Sequence, residues 1–114
     1  MINVKGFSPR YAAPEVFVHS RLEHVGLNLV QEQRSDVYAY AIVMWEIIAC
    51  FKPWDGCTVD DIELQVRQGK RPSPIPKSND ERIRFIIELF QLCWKQEVND
   101  RPRAIDIVQK LELL

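Results

Sequence analysis

Residues 35–50, SDVYAYAIVMWEIIAC, decide the fold of this 114-residue chain. Only Asp36 and Glu46 are charged in this stretch, and its apolar residues do not keep to one stripe. A helix that is hydrophobic nearly all the way round is typically buried on several sides. We therefore predict a central core helix over residues 35–50. Ser35 would be its N-cap, and Asp36 would lie in the first turn, where the helix dipole favours a carboxylate.

Length argues against two other structures for this stretch. Its uncharged run, residues 37–45, has nine residues, whereas a membrane-spanning helix needs about 20. A buried strand usually has roughly 4–8 residues, and this stretch is longer and contains no turn signal. A core helix remains the best interpretation.

The composition is that of a soluble globular domain, with 46% apolar and 27% charged residues. Fifteen basic and sixteen acidic residues nearly cancel, so no overall field attracts nucleic acid or an anionic membrane. The three cysteines lack C-x-x-C spacing and are interpreted as reduced thiols. The first residues lack the apolar core of a signal peptide. We expect one cytoplasmic domain with neither a nucleic-acid nor a membrane partner.

The N-terminal third is predicted to be mostly irregular. Residues 1–12 contain Gly6 and Pro9 and are typical of an extended loop. Pro14 can occupy the first turn of a short helix, because its missing N–H needs no partner there. Residues 20–34 are polar and contain the breakers Gly26 and Asn28, so a loop is predicted before the central helix.

Three more helices are predicted after it. Thr58 begins the first as an N-cap, with Asp61 completing a near capping box. A proline-rich segment at residues 70–80 separates it from the second, which Asn79 or Asp80 caps, and the last covers about 103–113. The first has the apolar spacing of a modest amphipathic helix at Val59, Ile62 and Val66. The second has a wide apolar stripe, formed by Ile83, Ile86, Ile87, Phe90, Cys93 and Trp94, and the last is expected to bury Ile105, Val108 and Leu111 on one face. The predicted class is all-α, with about five helices around the central one.

Three short motifs follow one another along the chain, and their order and spacing are informative. They are A-P-E at 13–15, S-D-V-Y at 35–38 with W-E-I at 45–47, and D-R-P at 100–102. Together they resemble the C-terminal half of the C-lobe of a eukaryotic protein kinase domain, from just before A-P-E to the end of the domain. K-P-W at 52–54 and L-x-x-x-C-W at 89–94 are similar to the tyrosine-kinase-like group. The resemblance covers residues 7–114, so the implied domain is a partial kinase domain over residues 1–114.

The resemblance implies two structural roles. Glu15 is expected to form an ion pair with Arg101, which would tie the activation segment to the last helices. A bidentate arginine–carboxylate pair fixes an orientation that lysine would fix less well. Asp36 resembles the aspartate that anchors the central helix to the catalytic loop. Because that loop is missing here, Asp36 is expected to be hydrated or otherwise compensated.

A substrate-side loop is also implied. Ser8, Pro9, Arg10 and Tyr11 resemble the loop that receives substrate residues beside the phosphoacceptor. Ser8 lies where serine/threonine-specific members usually have threonine, whereas Phe7 departs from the family's frequent glycine. This favours serine/threonine over tyrosine as the family substrate.

The parts that transfer phosphate are absent from these residues. Phosphoryl transfer needs a glycine-rich loop, a catalytic aspartate and magnesium ligands. The four glycines form no G-x-G pair, and neither H-R-D nor D-F-G occurs. The complete family domain uses ATP and magnesium, but no cofactor or metal site is expected in this chain. The sequence also contains neither a set of zinc ligands nor a nucleophile-elbow motif that would indicate another kind of catalysis. The chain alone is therefore predicted to be inactive.

Three functional hypotheses follow. The chain is a fragment of a protein kinase that phosphorylates serine or threonine in proteins, with a protein substrate or the missing kinase half as its partner. Alternatively, it is a non-catalytic interaction module, acting as a decoy or dimerisation surface. The third hypothesis is an unrelated helical bundle.

Because the helix that precedes the central one in the family is missing, an apolar face is expected to remain on residues 37–48, exposed or covered by rearrangement.

Overall fold

The computed structural model describes residues 8–20 and 28–114. Within them the structure contains five α-helices, two short 3₁₀ turns and no strand, which confirms the predicted all-α class. Residues 1–7 of the loop predicted at 1–12, and the breaker Gly26, lie outside the described residues. The helices are α1 (Pro14–Ser20), α2 (Leu29–Ala49), α3 (Val59–Arg67), α4 (Glu81–Cys93) and α5 (Ala104–Leu111), and the 3₁₀ turns are Pro9–Tyr11 and Val98–Asp100.

The central helix α2 begins earlier than predicted. Asn28 is its N-cap: the Gln31 backbone N–H donates to Asn28 Oδ1 over 2.9 Å, and the Asn28 N–H donates to Gln31 Oε1 over 3.1 Å. Both prediction errors here, a loop extending to residue 34 and Ser35 as N-cap, come from treating Asn28 as a breaker. Asparagine is also a strong N-cap, and Gln31 lies three residues on, as in a capping box.

The buried side of α2 forms the middle of the core. It packs against α4, α5 and the 3₁₀ turn at Pro9–Tyr11, while α1 contacts α3. The helix ends at Cys50, which has a left-handed φ of 59° and donates its N–H to the Glu46 carbonyl. The core residues from α2 are Val37, Tyr38, Ala41, Ile42, Met44 and Trp45, and those from the other elements include Phe17, Ile62, Val66, Ile87, Phe90 and Ile107.

Local capping determines where α3 and α4 begin, as the sequence predicts. Thr58 and Asp61 form a complete capping box at α3, each accepting the other's backbone N–H. Asp80 caps α4 by accepting the N–H groups of Arg82 and Ile83. Satisfying these otherwise unpaired donors is the usual reason that a helix starts at such residues.

The predicted packing face of α5 is wrong at two positions. Ile105 is 51% exposed and Val108 49% exposed, whereas Ile107 is buried and Leu111 is half-buried. Apolar residues in α5 occur on two faces with helical spacing, and the pattern alone does not say which face meets the core. Contact with α2 selects the face that carries Ile107.

One side of α2 stays open. Tyr40, Val43 and Ile47 follow helical spacing and are 45%, 37% and 69% exposed. This is the apolar face expected to remain on residues 37–48, and it is exposed. Among the helices of residues 8–20 and 28–114, none has both the length and the hydropathy of a membrane span.

Candidate functional site

The structure brings Glu15 and Arg101 together at the start of α1. Arg101 Nη1 lies 2.6 Å from Glu15 Oε2, and Nη2 lies 2.9 Å from Oε1, so the pair is bidentate. Ser35 Oγ donates to Glu15 Oε2 from α2 over 2.5 Å. Ser35 thus lies inside α2 and is not its N-cap. Its hydroxyl instead adds a third group to the Glu15–Arg101 contact.

Arg101 is 1% exposed and fully supplied with acceptors. Besides Glu15, its guanidinium donates to the carbonyls of Lys95, Gln96 and Arg34, at 2.8, 3.2 and 3.2 Å. The Arg34 side chain in turn donates to the Arg101 carbonyl. A buried guanidinium is tolerated only when its donors are paired in this way.

Two opposing effects act on the Glu15 carboxyl. Burial alone raises its pKa. Hydrogen bonds from Arg101 and Ser35, together with the positive charge of Arg101, outweigh burial and hold the pKa below its usual value. Glu15 is therefore an ionised structural group that orients α1 and is not placed to transfer protons.

The loop at residues 8–11 is held in a 3₁₀ turn against the helical core. The Tyr11 N–H donates to the Ser8 carbonyl over 3.1 Å, which closes the turn. Arg10 reaches away from it, and its Nη1 donates to the carbonyls of Pro53 and Trp54, at 2.9 and 2.6 Å. Ser8 itself is exposed. The loop is thus tied to the α2–α3 connection while its first residue remains accessible.

Tyr11 supplies a second tie, to α2. Its hydroxyl donates to Glu46 Oε1 over 2.7 Å. That hydrogen bond, followed by burial and the negative charge of Glu46, raises the pKa of the Tyr11 phenol. The sequence alone predicts no role for Glu46. Glu46 is an isolated carboxylate in an apolar helix, and such groups are rarely buried without a partner. That feature of the sequence could have indicated a hydrogen-bonding role for Glu46.

Two guanidinium groups lie over the aromatic ring of Tyr38. The guanidinium carbons of Arg71 and Arg101 lie 5.0 and 5.2 Å from the centre of its ring, within the range of a cation–π interaction. The Tyr38 hydroxyl is buried and has no hydrogen-bond partner among the described residues. Burial raises the pKa of Tyr38 to about 12.

Asp36 is not brought to the other predicted site residues. Its side chain is exposed, and no described residue binds it. It follows the helical spacing of Tyr40, Val43 and Ile47 and therefore extends that side of α2 toward its N-terminus. Its role as an anchor for a catalytic loop stays a prediction.

The arrangement can position protein segments, but it does not fit the magnesium ion that the resemblance implies for a complete domain. In the part of the chain that the structure describes, no three His, Cys, Asp or Glu side chains come together as a metal site would require. The two carboxylates that hold residues 8–15, Glu15 and Glu46, are engaged by Arg101 and Tyr11. What these residues do is orient the segment that precedes and begins α1.

Comparison with known families agrees with this geometry. The family described as protein tyrosine and serine/threonine kinase matches residues 3–111. This match covers nearly the whole chain, including the segment 8–15, the central helix and Arg101. The chain belongs to the protein kinase family.

Individual relatives are serine/threonine kinases or carry a kinase domain. The chain is 32% identical over 106 residues to ankyrin repeat and protein kinase domain-containing protein 1 of Homo sapiens, covering 91% of the chain and 13% of that protein. It is 34% identical over 106 residues to serine/threonine-protein kinase STY17 of Arabidopsis thaliana, covering 92% of the chain and 16% of that protein. Serine/threonine-protein kinase VIK of the same plant is 30% identical over 105 residues, covering 92% of the chain and 21% of its own length. The chain thus spans about a fifth or less of these relatives.

Proposed function

We propose that these residues form the substrate-side helical part of a serine/threonine kinase domain of the tyrosine-kinase-like group. In this proposal the whole domain phosphorylates serine or threonine in proteins with ATP and magnesium. The helical part receives the protein substrate through Ser8, Pro9, Arg10 and Tyr11, and it does not transfer phosphate by itself.

The observation that carries the proposal is the fastening of residues 8–15 at three points. Arg10 binds the α2–α3 connection, Tyr11 binds Glu46 of α2, and Glu15 binds the buried Arg101. A loop held this firmly at its base, with its first residue exposed, presents a shaped surface at low entropic cost. The serine/threonine kinases among the relatives support the same substrate class.

A phosphate-transfer assay tests the proposal. The 114-residue chain and the longest gene product that contains it would be compared with radiolabelled ATP, magnesium and a mixture of protein substrates. We expect transfer only by the longer product, with phosphoserine and phosphothreonine in the hydrolysate. Phosphate transfer by the chain alone, or phosphotyrosine as the main product, would contradict it.

One observation favours a second function, that of a non-catalytic interaction module. Tyr40, Val43 and Ile47 leave an apolar stripe of α2 in water, and such stripes commonly mark a binding surface. In this hypothesis the chain uses α2 as a dimerisation or decoy surface.

Light scattering after size-exclusion chromatography tests that function. A defined dimer that Val43→Lys converts to a monomer would support it, with Val59→Lys on α3 as a control at another exposed valine. A monomer that stays monomeric at high concentration would contradict dimerisation.

A further inference from the structure

A cleft lies beside the α2–α3 connection. Its volume is about 550 Å³, within the range of roughly 300–1,000 Å³ typical of ligand sites. Trp45 forms part of its apolar lining, with Phe51 and Trp54 from the α2–α3 connection and Pro74 from the α3–α4 connection. The apolar part of the lining therefore consists mainly of aromatic side chains and prolines, contributed by α2 and by two connections.

Hydrogen bonds hold both walls in place. Trp45 Nε1 donates to the Pro74 carbonyl over 2.9 Å, joining the central helix to the α3–α4 wall. In the other wall, the Trp54 carbonyl accepts hydrogen bonds from the Arg10 side chain and the Cys57 N–H. Trp54 has a left-handed φ of 56°, which a non-glycine residue keeps only when its surroundings hold it. The cleft is thus formed before anything binds.

The cleft also carries excess positive charge. Lys52, Lys70 and Arg71 line it, against the single carboxylate of Asp55. Arg71 is already used, since it donates to the Trp94 carbonyl and the Gln96 side chain. Lys52 and Lys70 are exposed and take part in none of the ion pairs formed among residues 8–20 and 28–114. Two ammonium groups therefore remain available beside an apolar surface.

We propose that this cleft binds an extended acidic segment of another protein. An apolar side chain of the segment contacts Phe51, Trp54 and Pro74, and its flanking carboxylates face Lys52 and Lys70. Charge complementarity selects acidic over basic segments, and the aromatic lining supplies the contact area. Arg10 joins the Trp54 carbonyl to the substrate-side loop, so a protein held here lies beside that loop without occupying it.

Binding can be measured on the 114-residue chain without any phosphate transfer. Fluorescence polarisation would compare two pools of labelled decapeptides with every hydrophobic pair at the centre. One pool has aspartate or glutamate on both flanks, and the other has lysine or arginine. We expect only the acidic pool to bind, with an affinity that falls as salt is raised.

Matched variants locate the site. Lys52→Glu with Lys70→Glu should weaken binding of the acidic pool about tenfold or more, whereas Lys95→Glu with Lys110→Glu makes the same charge change on exposed residues outside the cleft. Phe51→Ser should also weaken binding, with exposed Leu64→Ser as its control. Thermal melts establish that each variant folds.

Three results would overturn the proposal. They are no binding of the acidic pool up to about 1 mM, equal binding of both pools, or equal loss of binding in the cleft and control variants. None of them depends on kinase activity. Failure of the cleft proposal is therefore distinguishable from failure of the proposed kinase function.

Discussion

Arg101 binds Glu15 through two hydrogen bonds, 2.6 and 2.9 Å long, across 86 residues of sequence. The guanidinium is inaccessible to solvent, and the carboxylate side chain is 11% exposed. The pair joins the beginning of α1 to the segment between α4 and α5. Because both charges are largely desolvated, removing either partner should cost far more than losing a surface ion pair.

Glu15→Gln should lower the free energy of unfolding by about 3 kcal/mol, because it leaves Arg101 charged, buried and without its counter-ion. Urea denaturation followed by circular dichroism measures this change. The control is Arg103→Gln at the exposed Arg103–Asp106 pair, which should leave the midpoint nearly unchanged. Equal effects of the two variants would show that the buried pair contributes no special stability.

The same pair predicts a pH dependence. Since the folded-state pKa of Glu15 lies below its ordinary value of 4.5, the unfolded chain takes up this proton first as pH falls. The stabilisation from ionised Glu15 is therefore complete above about pH 4.5 and is lost as pH falls through the folded-state pKa. The stability difference between wild type and Glu15→Gln should shrink in that window. A difference that stays constant down to low pH would contradict the assignment.

Tyr11→Phe should destabilise the fold by about 1 kcal/mol, the usual net value of one hydrogen bond. Glu46→Gln tests the same hydrogen bond from its other partner and is more specific. This variant removes the charged acceptor that is the main cause of the raised Tyr11 pKa, so the phenol should titrate at lower pH. Carbon-13 NMR of labelled tyrosine measures the titration, and an unchanged Tyr11 pKa would show that the contact is not formed in solution.

Ser35→Ala and Asp36→Asn form a matched test on adjacent residues. Ser35→Ala should cost about 1.5 kcal/mol, because a buried hydroxyl then no longer donates to the Glu15 carboxylate. Asp36→Asn should change stability by less than about 0.5 kcal/mol, because the side chain is exposed and unpaired among the described residues. Urea melts of both variants check that Ser35→Ala lowers the free energy of unfolding more than Asp36→Asn does. A loss of several kcal/mol for Asp36→Asn would show that Asp36 is held by a partner.

Tyr38→Phe should be neutral or stabilising by up to about 1 kcal/mol, because it removes a buried hydroxyl that has no partner among the described residues. The ring remains beside Arg71 and Arg101, so the cation–π contacts persist. Thermal melts of the two proteins give the comparison. Marked destabilisation would reveal a hydrogen bond of the hydroxyl, for example to an ordered water.

The elements determined by local sequence were predictable. Thr58, Asp61 and Asp80 cap helices through hydrogen bonds to residues at most three positions away, so they act wherever the helix finally packs. Asn28, with its capping box to Gln31, is also such a signal, but asparagine is equally common in loops and so does not by itself predict a helix start. The apolar stripe of α4 likewise identified the buried Phe90 and Cys93 in advance.

What only the tertiary structure decided concerns contacts between distant residues. The sequence of α5 contains apolar residues on two faces, and packing against α2 chose Ile107 over Ile105. The binding of Tyr11 to Glu46, and the approach of Lys52 and Lys70 to one cleft, likewise depend on how loops and helices meet. Capping and periodicity act within a few residues, whereas the choice of a buried face is a competition among alternative packings of the whole chain.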